Sequence, residues 1–224
     1  MQHGFSIFIV FALLSVLLIS TLPSTAAVST SGSANSKWQT MSWGPTIHTL
    51  LHFNQNGSGV DIIDATKYYE TWTDFGIVST TKYPLSGNIE FNASMLSGQN
   101  RYVANFYISP TFSNNTDPYR GMANWVGFIV TGNYEFGSWY AQVARNVSGV
   151  GESRLYNQQY TGTFPLHWRI DFLSRNSIRV YINDQLVFST DSLGLKFNSG
   201  YLYFFESTNL NGYTYELHYH FIQL

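Results

Sequence analysis

The sequence predicts an all-β, two-sheet antiparallel jelly-roll sandwich, and three observations carry that prediction. Apolar residues recur at every second position in segment after segment, the spacing of half-buried strands. Gly, Pro, Asn and Ser break these segments at short intervals. No stretch shows a convincing helical period, and no repeat of fixed length appears, which sets aside propellers and solenoids. Roughly ten or more short strands in one chain of 224 residues fit a sandwich better than any helical architecture.

Taken in order, the chain opens on an almost wholly apolar run from Phe5 to Leu22, followed by the small residues of Pro23-Ser-Thr-Ala-Ala27. That pattern predicts a signal peptide over 1–27, cut after Ala27, and hence a secreted or cell-surface protein. The run lacks a basic flank, so a retained membrane anchor is the alternative. Residues 28–36 read as a flexible polar leader, and 37–224 as a single β-sandwich domain. Trp38 to Phe53 is expected to give a first strand, and 61–75 is open between a short helix and strand with turn. Strands are then expected at Gly76–Tyr83, Gly87–Met95, Tyr102–Ile108, Asn124–Val130, Ser138–Ala144, Trp168–Leu173, Ser177–Ile182, Gln185–Phe188, Gly200–Phe205 and Tyr213–Ile222. The clearest stretch is FPLHWRIDFLSRNSIRVYINDQLVFST, Phe164 to Thr190. Trp168, Ile170 and Phe172 share one face, Ile178, Val180 and Ile182 share the next, and Asn183-Asp184-Gln185 supplies a tight turn.

Composition narrows the partners. Charged residues make up 11%, aromatics 17%, and the formal net charge is −2, so neither a nucleic-acid surface nor a polyanion-binding one is expected. Polar contacts must come largely from Tyr, Asn, Ser and Thr, which suits uncharged partners such as polysaccharides and glycans, or other protein sheets. The chain has no cysteine, which excludes thiol catalysis and cysteine metal sites. Sequons at Asn56, Asn92, Asn114 and Asn146 mark expected glycosylation positions in an exported glycoprotein.

The segment series GIVSTTKYPLSGNIEFNASM, NWVGFIV, HWRIDFLSRNSIRVYINDQLVF and GYLYFFESTN resembles the concanavalin A-like lectin/glucanase superfamily, in particular laminarinase-type and laminin-G-like jelly rolls. The resemblance covers about Phe75 to the C-terminus and implies a concanavalin A-like fold. Laminarinase-type enzymes carry Glu-x-Asp-x-Glu or Glu-x-Asp-x-x-Glu on a central strand, because retaining hydrolysis needs two carboxylates about 5–5.5 Å apart. The matching strand here, NWVGFIV from Asn124 to Val130, has no carboxylate. The resemblance therefore implies the fold without the catalytic motif.

Other constellations were weighed against plainer readings. Glu206, with Glu135 or Glu90, is the only arrangement that offers an atypical glycoside hydrolase, and a strand-end Glu beside a polar loop is more often solvated. Glu216, His218 and His220 share one face of the last strand and offer imidazoles to zinc or copper, although with no further ligand to name the polar face of a last strand is the favoured reading. No cofactor is expected. Calcium is left open by Asp61, Asp64, Asp117 and the Asn114-Asn115 loop, none with the spacing of a calcium motif. For sugar contact the best candidates are Trp125, Trp139 and Tyr140, whose rings offer a stacking face. The expected function is thus a secreted, non-catalytic carbohydrate-binding protein. The alternative is a filament or coat subunit whose leader adds a strand to a neighbour's sheet, with self-assembly as its signature.

Overall fold

The computed structural model describes residues 29–31, 36–44, 49–53, 58–65, 73–97, 102–116, 118–133, 138–160, 164–208 and 214–224. The expected signal peptide, most of the leader, Asn56 and Glu135 lie outside them. Two sheets carry the chain. The first runs in the order β1 (Ser29–Ser31), β3 (Thr49–Phe53), β4 (Gly59–Ala65), β16 (Thr214–Gln223), β7 (Gly87–Ser97), β12 (Leu166–Ser174), β13 (Ser177–Ile182), β14 (Gln185–Thr190). The second runs β11 (Gly151–Tyr160), β10 (Ser138–Val147), β9 (Trp125–Asn133), β8 (Tyr102–Ser109), β15 (Ser199–Thr208), β5 (Thr73–Ser79), β2 (Trp38–Trp43), with β6 (Tyr83–Pro84) also pairing β15. Among the described residues one helical turn, α1 (Pro118–Gly121), interrupts the strands. All pairings are antiparallel except β1 with β3. This is the predicted all-β jelly-roll sandwich.

Alternation builds the core. Along β12 the burial pattern alternates strictly through Leu166, Trp168, Ile170 and Phe172, and these face Ile178, Val180 and Ile182 of β13 on the same side. The Asn183-Asp184 turn takes positive φ at both residues, 50° and 63°, as a two-residue hairpin requires. Asn183 Nδ2 donates to Tyr160 Oη at 2.7 Å, and the His167 main-chain N–H donates to Asn183 Oδ1 at 2.9 Å. The turn residues thereby tie the hairpin to β11 and β12. Phe204 sits at the centre of the sandwich, with ring centroids of Phe106 at 4.6 Å, Phe221 at 4.8 Å and Tyr219 at 5.1 Å.

Three expectations are revised. Trp38 to Phe53 is two strands in different sheets, β2 and β3, parted by Gly44 at φ 84°. The ambiguous stretch 61–75 is strand at both of its described ends, in β4 and β5. Glu206 does lie opposite Tyr203 and Phe205, but that side is the sandwich interior, and the residue is 2% exposed. It is neither solvated nor set in a cleft.

Burial also sets an alkaline limit. The Tyr219 hydroxyl, between the carbonyl oxygens of Asn105 (3.0 Å) and Phe205 (3.2 Å), is pushed well above the ordinary tyrosine range by loss of solvent. Tyr203 is raised by the same cause. A folded-state value above the unfolded one, about 10, makes the stability fully present below about pH 10 and lost as pH rises through the folded values. Urea midpoints are expected to stay level from neutrality to about pH 9.5 and to fall beyond it. Tyr203→Phe should flatten that fall, and an unchanged slope would show that Tyr203 does not contribute.

Candidate functional site

The second sheet has an outer face, turned away from the sandwich, whose side chains are fixed by register. One row crosses the strands as Ala144, Gly127, Tyr107, Tyr203, Val78 and Gln39. The next runs Gln142, Ile129, Asn105, Phe205, Gly76 and Met41, and the one beyond it contains Tyr140, Thr131, Ser207, Asp74 and Trp43. Since alternate residues of each strand point the same way, the face is readable as a grid.

One half of this grid is apolar and closed. Trp125, Tyr107, Tyr203, Phe205, Met41, Val78, Met122, Ile129 and Ala144 form a second hydrophobic cluster, separate from the sandwich core. Residues 110–116 and 118–124 cross it as a strap. The Tyr203 hydroxyl donates to Thr111 O at 2.7 Å and accepts from the Ser113 N–H at 2.9 Å. Asn114 O accepts from the Ser42 N–H on β2 at 2.9 Å, and the Tyr119 hydroxyl donates to Glu152 Oε1 on β11 at 2.7 Å. The strap is therefore fastened at both edges of the sheet. Tyr119 stacks at 5.6 Å on Trp125, which lies 4.9 Å from Tyr107. Gly127 is required beneath this layer, because a Cβ there would lie 2.6 Å from Tyr107 Cε1.

The other half is polar. Asn105 Nδ2 donates to Ser207 Oγ at 2.9 Å, and Ser207 Oγ donates to Asp74 Oδ1 at 2.5 Å, all three groups being buried. Gln142 is buried in the adjoining row. Opposite β10, the β11 residues Asn157 and Gln159 pair with Gln142 and Tyr140 and so share their face. Tyr140 is 42% exposed, which makes this end an aromatic ring among amides and hydroxyls.

Of the sequence-predicted contact residues, only Tyr140 has its ring open to solvent. Trp139, 4% exposed, points into the sandwich and meets Phe164 edge-on at 4.5 Å. Trp125, 0% exposed, is on the outer face but beneath the strap. Gln142, Asn157 and Gln159 were not anticipated. The signal for Gln142 was present, since it shares parity with Tyr140 while Trp139 shares parity with Ala141 and Val143.

On the first sheet's outer face, His218 Nδ1 lies 2.5 Å from Asp61 Oδ1, and His167 Nε2 lies 2.8 Å from Glu90 Oε1. These pairs engage three of the residues considered for metal or catalysis, His218, Asp61 and Glu90. Among the described residues no group of three or more His, Asp or Glu is arranged to hold a metal. Asn92 sits mid-strand in β7 between His167 and His220 by register, Asn114 is exposed on the strap, and Asn146 is the penultimate residue of β10.

No protein-family model matches the chain, and no characterised protein matches it by sequence. Solved structures do. LamAcat of Zobellia galactanivorans superposes with a TM-score of 0.55 at 14% identity, covering 82% of this chain and 88% of that one. The fold is that of the concanavalin A-like jelly rolls. The Bacillus licheniformis β-glucanase gives 0.53 at 14% identity over 84% and 91%. A glycoside hydrolase family 16 endo-glucanase of Bacteroides ovatus, in complex with G4G3G-2F-DNP, gives 0.56 at 10% identity over 83% and 93%. At such identities the likeness establishes architecture and leaves activity to the residues.

Proposed function

We propose that this chain is a non-catalytic carbohydrate-binding jelly roll, exported from the cell, that holds an uncharged glycan at the polar half of its second sheet. The observation that carries the reading is the exposed Tyr140 ring beside the exposed amides of Asn157 and Gln159 on the neighbouring strand. A planar ring stacks on the C–H face of a pyranose while amides fix its hydroxyls.

Two features support the absence of hydrolysis. The strand that would carry the laminarinase carboxylates presents Trp125, Gly127 and Ile129 outward, under the strap. Among the described residues the outer face bears two carboxylates, Asp74 on β5 and Glu152 on β11, at opposite sides of the sheet. Five strand spacings part them, roughly 20 Å or more, against the about 5–9.5 Å that either glycosidase mechanism demands. Glu152 is also engaged by Tyr119.

The test is titration of a panel of β-1,3-, β-1,4- and mixed-linkage β-glucans by calorimetry, with reducing-sugar release followed on the same samples. Saturable binding without release is expected. Tyr140→Ala should weaken it about tenfold or more, equivalent to about 1.4 kcal/mol, while the melting temperature moves by less than about 2 °C because the ring is exposed. Release of reducing ends, or full affinity in Tyr140→Ala, would sink the proposal. Intact mass of the secreted product tests export and modification, and Asn114, the most exposed of the described sequons, is expected to be occupied first.

A further inference from the structure

The sheet edges of this sandwich are not treated alike. At β2 the strap covers an edge donor, Ser42 N–H, with Asn114 O, and the edge of β3 is covered by β1. Among the described residues β11 is paired to β10 alone, and it runs for ten exposed or half-exposed residues. Proteins ordinarily blunt a long edge with proline, lysine or a bulge, because its unpaired backbone groups template another strand. β11 has neither proline nor lysine. Its register shift against Val143 and Ala144 leaves Leu155 as the extra residue, so the regular part is the uncharged Tyr156–Tyr160.

That regular run reads Tyr-Asn-Gln-Gln-Tyr, which is nearly the same in both directions. A strand paired antiparallel with its own copy about a two-fold at Gln158 sets Tyr156 against Tyr160, Asn157 against Gln159, and Gln158 against itself. Each pair joins like with like, aromatic to aromatic and amide to amide, as an isologous contact requires. Glu152 and Arg154 fall outside the overlap, so no like charges meet. The faces also agree. Asn157 and Gln159 lie on the outer face with Gln142 and Tyr140, whereas Tyr156 and Tyr160 lie on the inner side, opposite Val143 and Trp139. The same flank carries β14, through Tyr156 and Phe188 at 5.9 Å, and its half-exposed Leu186 adds apolar surface beyond the strand pair.

We infer that the protein forms a two-fold dimer in which the β11 edges of two copies pair antiparallel about Gln158, making one sheet continuous through both. The partner is a second copy because the run is self-complementary; an extended segment of another protein would have no need of that symmetry. The dimer sets two Tyr140 strips on one surface, about 14 Å apart by three strand spacings. The inference does not depend on what those strips bind.

The test is sedimentation equilibrium of the purified full chain from 1 to 200 µM, with two variants. A dimer is expected. Gln158→Lys places like charges across the axis and should give a folded monomer whose melting temperature, unlike the parent's, does not rise with concentration. Gln158→Cys introduces the chain's only cysteine at a position where opposed Cα atoms lie about 4.5–5.5 Å apart, within disulfide reach. Mild oxidation should then link most of the protein, whereas Leu186→Cys should link little. A monomer at 200 µM overturns the inference whatever else pairs with the edge. So does a dimer that Gln158→Lys leaves intact and Gln158→Cys does not link.

Discussion

Gly76→Ala is expected to destabilise the protein by about 3 kcal/mol or more, the range reached when overpacking has no flexible neighbour to displace. A Cβ at Gly76 would lie 2.1 Å from the Phe204 carbonyl oxygen and 2.5 Å from Phe205 Cα. Those atoms are backbone of β15, the strand bonded to β5 on one side and β8 on the other. Relief would require β5 and β15 to part where Phe204 and Phe205 separate the two hydrophobic clusters. For a domain of this size the melting temperature should fall by roughly 6–12 °C. Gly87→Ala is the control: nothing lies within 4 Å of the added carbon, so its cost is the conformational strain of φ +84° alone, about 1–2 kcal/mol. Thermal unfolding of the two variants side by side decides the matter. A smaller loss at Gly76 than at Gly87 would show that β5 and β15 are less closely opposed than described.

Much of this sandwich is written in local pattern. β12, β13 and the Asn183-Asp184 turn follow from alternation and turn chemistry, because both strands bury one face fully. β11 was not seen, and its residues explain why. Leu155 and Tyr156 are the only two adjacent apolar positions in an otherwise polar strand, and its extended form comes from backbone pairing with β10, which leaves no periodic mark. The division of Trp38–Phe53 between two sheets was equally hidden. Met41 and Trp38 are buried on opposite faces of β2, so the segment's apolar content does not reveal which sheet receives it.

The site was legible in chemistry but not in placement. Aromatic rings and amides are what the sequence offers an uncharged partner, yet period 2 names the two faces of a strand without saying which is covered. Trp139 and Tyr140 are neighbours in sequence and end on opposite faces. Trp125 lies on the same face as Tyr140 and is lost to solvent only because the strap returns across it, a long-range event fixed by Tyr203, Ser42 and Glu152. The bond from Tyr203 to Thr111 spans 92 residues, and no local reading reaches that far.

Trp125 therefore tests the division of the outer face. Trp125→Ala removes a fully buried indole from between Tyr107 and Tyr119 and is expected to cost about 3–5 kcal/mol, the usual range for an aromatic replaced by alanine in a core. Trp125→Phe should behave quite differently. The indole Nε1 is buried without a hydrogen-bond partner, so its removal relieves a desolvated donor while the phenyl ring keeps much of the packing against Tyr107. The two effects oppose each other, and the net loss should stay below about 1.5 kcal/mol. Denaturant midpoints measure both variants, and glucan titration of Trp125→Phe completes the test. If Trp125 is a layer of packing beneath the strap, Trp125→Phe binds as the parent does. If instead it touches sugar, Trp125→Phe loses affinity without losing stability, which would move the contact surface from the Tyr140 end to the strap end.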